Sequence, residues 1–192
     1  MSNQTPSQTV GPYFHIGLIR PGDNMNVMVN DQTRGQRILV RGRVIDGDGE
    51  PIPDAMLEIW QADSDGIYGH PADPKHADAD PAFGGFGRAP TDDSGEYSFK
   101  TIKPGAMERE GEPTMAPHVN FRVFARGMLI HAYTRMYFPN EVENENDPVL
   151  KMITETDRRS TLIAAVDMGE DLPTYRFDVV LQGEKETVFF DL

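Results

Sequence analysis

Short runs of alternating apolar and polar residues, each soon closed by Gly, Pro, Asp or Asn, recur along this chain and leave little room for other structure. Residues 37–45 read Arg-Ile-Leu-Val-Arg-Gly-Arg-Val-Ile and stop at Asp46-Gly47-Asp48-Gly49. Residues 55–61 alternate again, carry the only tryptophan, Trp60, and stop at Asp63-Ser64-Asp65-Gly66. Successive side chains on a strand point to opposite faces, so such runs are half-buried strands and the Asp/Gly clusters are turns. Further strands are expected at 96–103, 119–124, 128–137 and 175–182, with a short last one at 187–190.

A single helical region is expected, opening at Asp147-Pro148 as N-cap and first helical residue and resuming at 158–166. Residues 69–88 form a long Pro-, Asp-, His- and Gly-rich loop, with a bend at Gly84-Gly85-Phe86-Gly87. Strands in succession without helices between them exclude a parallel α/β sheet. The expected fold is mainly β: a two-sheet antiparallel β-sandwich with one short helical region. The chain divides into an extended arm over 1–36 and a sandwich over 37–192, a single domain overall. The Pro and Gly-Pro positions between 5 and 13 disfavour helix in the arm.

Composition excludes several functions. With 18 basic and 31 acidic residues the net charge is −13, and no basic stripe exists to follow a phosphate backbone, so nucleic acid is not an expected partner. No segment has the run of apolar residues that a membrane helix needs, and the start lacks a basic region followed by an apolar one; a soluble, cytoplasmic protein is expected. With no cysteine there is neither a disulfide nor a thiolate site, so any metal would need N and O ligands. The two Asp/Gly clusters do not keep calcium-loop spacing. His70 and His76 have no partner at ligand spacing, and no nucleophile elbow, zinc helix or phosphate loop is present.

A specific resemblance then emerges from Val40-x-Gly42-x-Val44, Gly49, Ile52, Leu57-Glu58-Ile59-Trp60-Gln61-Ala62 and Gly66-Ile67-Tyr68. It extends through Phe83–Arg88, Thr91-Asp92-x-x-Gly95-x-Tyr97-Ser98-Phe99, Thr101-Ile102-Lys103-Pro104-Gly105 and Met136-Tyr137-Phe138-Pro139. Together these resemble the intradiol ring-cleavage dioxygenases over nearly the whole chain. The resemblance implies cleavage of a catechol between its hydroxylated carbons by non-haem Fe(III), held by two tyrosines and two histidines. Phenolate and imidazole suit a hard trivalent cation.

Carried over residue by residue, the implied ligand set is incomplete. Tyr68 matches the first tyrosine. The second would follow Lys103-Pro104-Gly105, where Ala106-Met107-Glu108 stand. The His-x-His strand reads His118-Val119-Asn120, and Thr114-Met115-Ala116 replaces the stretch that holds an arginine. Tyr68, His118 and Asn120 are therefore vestigial ligand positions, with neither a metal nor catalytic residues expected in this chain. A neutral amide oxygen cannot replace imidazole basicity or phenolate charge.

Residues 5–13, Phe124-Ala125-Arg126-Gly127 and the ending 182–191 resemble the metal-free α subunit of two-chain family members, whose homologous β subunit carries Fe(III). The resemblance implies a hetero-oligomer of α–β pairs, with the arm contacting the β subunit and Thr9, Gly11, Pro12 and Arg126 lining its substrate pocket. Arg126 would hold the carboxylate of a small aromatic substrate, a role suited to a planar, permanently charged donor. Three readings stay open: a metal-free partner subunit, a self-sufficient dioxygenase with an altered site, and a β-sandwich binding or structural module. Ligand loss weighs against the second, and the match through the arm and Arg126 against the third.

Overall fold

The computed structural model describes residues 11, 16–20, 22–167 and 171–191. Among these residues nine strands build two facing sheets. They are β1 (Arg37–Ile45), β2 (Met56–Gln61), β3 (Phe86–Pro90), β4 (Glu96–Ile102), β5 (His118–Phe124), β6 (Ala132–Tyr137), β7 (Ala165–Asp167), β8 (Thr174–Arg176) and β9 (Val179–Val180). One sheet runs β4-β1-β8-β7, with β9 also on β1; the other runs β3-β2-β5-β6.

The alternation that marks the strands also sets the core. On β1, Ile38, Val40 and Val44 are fully buried, and Tyr97 and Phe99 of β4 lie beside them. From the other sheet Leu57, Ile59, Val119, Phe121, Val123 and Met136 close over that layer. Phe121 is its hub, with ring centroids 6.0, 6.4 and 5.2 Å from Tyr97, Phe99 and Phe177. Edge-to-face and tilted arrangements of this kind add to the gain from burial itself.

The expected sandwich, turns and helical region are present, with local differences: the turn after β1 leads into the other sheet and not to a strand paired with β1. β1 pairs in parallel with β8 and β9, whereas its pairing with β4 is antiparallel. The chain reaches β8 through the helical region, and this longer crossover permits parallel pairing as a tight hairpin does not. The run 175–182 is broken at Phe177-Asp178 into two short strands. Residues 187–190 form no strand, although Thr187 N–H still donates to Val180 O and Phe190 N–H to Tyr133 O. β3 follows directly on the bend at Gly85, inside what reads as loop, because Phe86-Gly87-Arg88-Ala89 lacks β-branched residues and is held by pairing with β2.

The helical region is two short helices, α1 (Pro148–Met152) and α2 (Thr156–Ser160), and residues 165–167 turn extended as β7. Asp147 caps α1, and Leu150 packs into a second small cluster with Ala116, Tyr137 and Leu162. Residues 25–28 run along the sheet edges: Arg88 N–H donates to Met25 O, Met28 N–H to Lys100 O, and Met28 packs on the core.

Candidate functional site

Period two has a second consequence: the residues of β2, β5 and β6 that miss the core share the outer face of their sheet. The register places Phe86, Trp60, Asn120 and Arg135 in one row across β3-β2-β5-β6, and Arg88, Glu58, Arg122 and Tyr133 in the next. His118 lies opposite Tyr137 one step further along. The loop between β2 and β3 folds over this face and brings Tyr68 onto Trp60, with ring centroids 5.9 Å apart and planes within 7°.

That loop is shaped by its aspartates. Asp63 Oδ1 accepts from Asp65 and Ile67 N–H, and Oδ2 from Asp80 N–H at 2.8 Å. Asp73 accepts from Tyr68 and Lys75 N–H. These carboxylates are saturated by backbone donors, as turn formation requires and calcium ligation does not.

Two of the vestigial positions meet directly. Asn120 Nδ2 donates to the Tyr68 hydroxyl at 2.9 Å and to Trp60 O at 3.0 Å, while Tyr133 O–H donates to Asn120 Oδ1 at 2.5 Å. His118, two residues along the same face of β5, is buried with Nδ1 2.7 Å from Ala116 O. A carbonyl only accepts, so Nδ1 carries the proton. Burial raises the Tyr68 phenol to about 12, and the Arg135 charge and the Asn120 hydrogen bond only partly oppose it. The phenol is neutral at pH 7.

Arg135 is the residue that sequence reasoning missed. Its half-buried guanidinium lies beside the Tyr133 and Tyr137 hydroxyls and near enough to Tyr68 and His118 to bear on both. A fixed cation therefore stands among the positions that would surround a metal. The donor set of one phenol, one imidazole and an amide already held at both ends, beside a guanidinium, does not fit ferric iron: it offers too few anionic ligands and places like charges together. Alternation along β6 puts Arg135 on this face, but only the pairing with β5 reveals what it faces.

Burial, reinforced by the Arg135 charge, holds the His118 imidazole down to about 4. Its folded value lies below the ordinary 6.5, so the unfolded chain takes up the proton first. Stability attributable to His118 is whole above about pH 6.5 and is lost as pH falls toward 4, by about 3 kcal/mol in all. Urea unfolding from neutral to mildly acid pH should give a flatter stability profile for His118→Gln than for the parent, whose difference isolates this one group.

The other expected site residues lie elsewhere. Arg126 follows β5 and is six residues from Asn120, about 20 Å along an extended chain. Its Nε donates to Asp54 Oδ2 at 2.7 Å, and its side chain is 67% exposed. It lines a pocket of about 590 Å³ with Asp46, Met128, Tyr133, Gln182 and Phe190. Among the described residues, Gly11 has no heavy atom within 4 Å of where a Cβ would stand. Thr9 and Pro12 lie outside the described residues.

A sequence profile described as Dioxygenase matches residues 9–183. The chain belongs to the intradiol dioxygenase family. It is 43% identical to the protocatechuate 3,4-dioxygenase alpha chain of Pseudomonas putida, over 98% of this chain and 96% of that one. The beta chain of the same enzyme from Burkholderia cepacia is 36% identical over 84% of this chain and 71% of its own length. Among solved structures, the dioxygenase domain of a dioxygenase–carbohydrate-binding fusion from Streptomyces sp. SirexAA-E superposes with a TM-score of 0.60 at 25% identity. That match covers 94% of this chain and 99% of the domain.

Proposed function

We propose that this chain is the iron-free α subunit of a protocatechuate 3,4-dioxygenase, acting with a homologous β subunit that holds Fe(III). The observation that carries this reading is the closed centre, in which Asn120 is locked between Tyr68 and Tyr133 and Arg135 supplies a fixed positive charge. A chain so built serves ring cleavage from outside the metal. The reaction opens protocatechuate between its hydroxylated carbons, incorporates both atoms of O2 and yields 3-carboxy-cis,cis-muconate.

In this reading Arg126 turns from Asp54 toward the substrate carboxylate in the partner's pocket. Thr9, Gly11 and Pro12 line the same pocket, and the arm over 1–36 lies against the partner. An exposed ion pair such as Arg126–Asp54 is worth little, so exchanging its carboxylate for a ligand's is inexpensive. A local cation also offsets the −13 net charge that would otherwise repel an anionic substrate. No helix among the described residues is long and apolar enough to cross a membrane, and a cytoplasmic location fits the cysteine-free composition.

The test is oxygen uptake by the assembled complex. Arg126→Ala should raise KM for protocatechuate by about 10- to 100-fold, the worth of a charge-assisted hydrogen-bonded pair, with Arg126→Lys recovering part of it. Turnover of plain catechol should be unchanged. An unaltered KM for protocatechuate in Arg126→Ala would remove Arg126 from the pocket, and ring cleavage by the lone chain would overturn the subunit reading.

A further inference from the structure

The outer face of β2 and β5 holds a pocket of about 490 Å³, bounded on one side by Tyr68, Asn120 and Tyr133 of the closed centre, to which the subunit reading assigns no ligand. Its floor is aromatic: Trp60 stacked with Tyr68, Phe86 tilted beside it at 6.3 Å, and His70 edge-on at 6.3 Å. Such a floor accepts a flat ring by offset or edge contact.

The polar groups around this floor are unequally engaged. Glu58 is committed to Arg88, at 2.5 and 3.0 Å, and Asp73 to backbone N–H groups. The two acids that line the pocket are thus occupied. The cations are less so. Arg122 is exposed and makes no ion pair or side-chain hydrogen bond with any described residue, even though its cross-strand neighbour on β2 is Glu58. Arg109 reaches Asp73 and Glu112 only at 3.9 and 4.0 Å, and its buried Nε has no hydrogen-bond partner among the described residues. A buried donor without an acceptor is costly and is relieved by an incoming anion.

The geometry points to a binding site for a small aromatic carboxylate, its ring over Trp60 and Phe86 and its carboxylate between Arg122 and Arg109. A planar carboxylate matches the fork of a guanidinium, and the ring matches a floor that no acyclic anion would fill. The site is a place of binding, not of turnover. It shares only Tyr133 with the lining of the Arg126 pocket and does not include Arg126, so either reading can fail without the other.

Trp60 is the only tryptophan of the chain and forms part of the floor, which gives a local reporter. The full chain labelled with 5-fluorotryptophan, alone and assembled with an unlabelled iron-bearing relative, has one resonance to follow while 4-hydroxybenzoate is added. A saturable shift is expected in both preparations. Arg122→Ala should weaken it by at least about tenfold, and so should replacing the probe by neutral 4-hydroxybenzamide. Acetate, an anion without a ring, should give no comparable shift, and Arg126→Ala should leave the response unchanged. Arg122 is exposed, so its replacement leaves the fold intact. The inference is overturned by no shift up to the solubility of the probe, by equal response to the amide, or by an unaltered response in Arg122→Ala. A response confined to the isolated chain overturns it for the assembled protein.

Discussion

Gly42→Ala is expected to leave little folded protein, at a cost of at least about 4 kcal/mol. Gly42 lies mid-way along β1, opposite the break between β8 and β9, where Phe177 N–H donates to Arg41 O and the backbone crosses close over the strand. A Cβ at position 42 would stand 1.8 Å from Phe177 O and 2.5 Å from its carbonyl carbon. Both contacts are with backbone, so no side chain can rotate away. The same carbonyl accepts from the buried Tyr97 hydroxyl at 2.5 Å, and any shift that admits a methyl group breaks that bond. Tyr97→Phe separates the two effects: it removes the hydroxyl without crowding the backbone and should cost only about 1–2 kcal/mol. Urea unfolding midpoints of the two variants measure the difference.

Asp147→Ala is the second large effect, expected at about 3–5 kcal/mol. The fully buried carboxylate joins three parts of the fold. Its Oδ1 accepts from Val149 and Leu150 N–H at the start of α1 and from the Tyr137 hydroxyl at 3.1 Å; its Oδ2 accepts from Ala116 N–H at 2.9 Å. Removal leaves those donors buried without an acceptor and frees the segment that leads into His118. Asp147→Asn retains one oxygen and presents an amide to the remaining donors, so its cost should be smaller, about 1–3 kcal/mol. The ratio of the two losses in urea unfolding reports how much of the link is the cap and how much the Ala116 contact.

Why Gly42 matters is not visible in its own strand. Alternation along 37–45 marks β1, and the Asp/Gly clusters mark its turn, because both are local physics: side-chain direction and backbone conformation. The close passage of Phe177 over Gly42 is a contact between residues far apart in the chain. The same division separates the parts of the candidate site. Tyr68, His118 and Asn120 are legible because they stand in a motif, and Asp147-Pro148 because capping is local. Arg135, Tyr133 and Arg122 are ordinary members of alternating strands until the β2-β5-β6 register sets them beside Asn120 and Trp60. β3 escaped notice because Phe86-Gly87-Arg88-Ala89 has little intrinsic strand preference and is fixed by its neighbour. The break at Phe177-Asp178 likewise depends on Gly42 across the sheet, not on residues 175–182 themselves.

The centre around Arg135 explains how Tyr68, Asn120 and Tyr133 hold together as one part-buried polar cluster. A guanidinium beside Tyr133 and Tyr137 and near Tyr68 supplies positive charge to a cluster of hydroxyls that would otherwise be left in a polar void. Buried polar groups persist when they are mutually satisfied, and Asn120, with both ends of its amide engaged, completes that condition.

The most direct measurement is iron per chain, taken on this protein purified alone after exposure to ferric salt and again on its complex with a relative bearing the full Tyr/Tyr/His/His set. The account predicts no stoichiometric iron on the lone chain, and both iron and protocatechuate-dependent oxygen uptake in the complex. Stoichiometric ferric iron on the lone chain, with the absorption band of tyrosinate ligation, would contradict it.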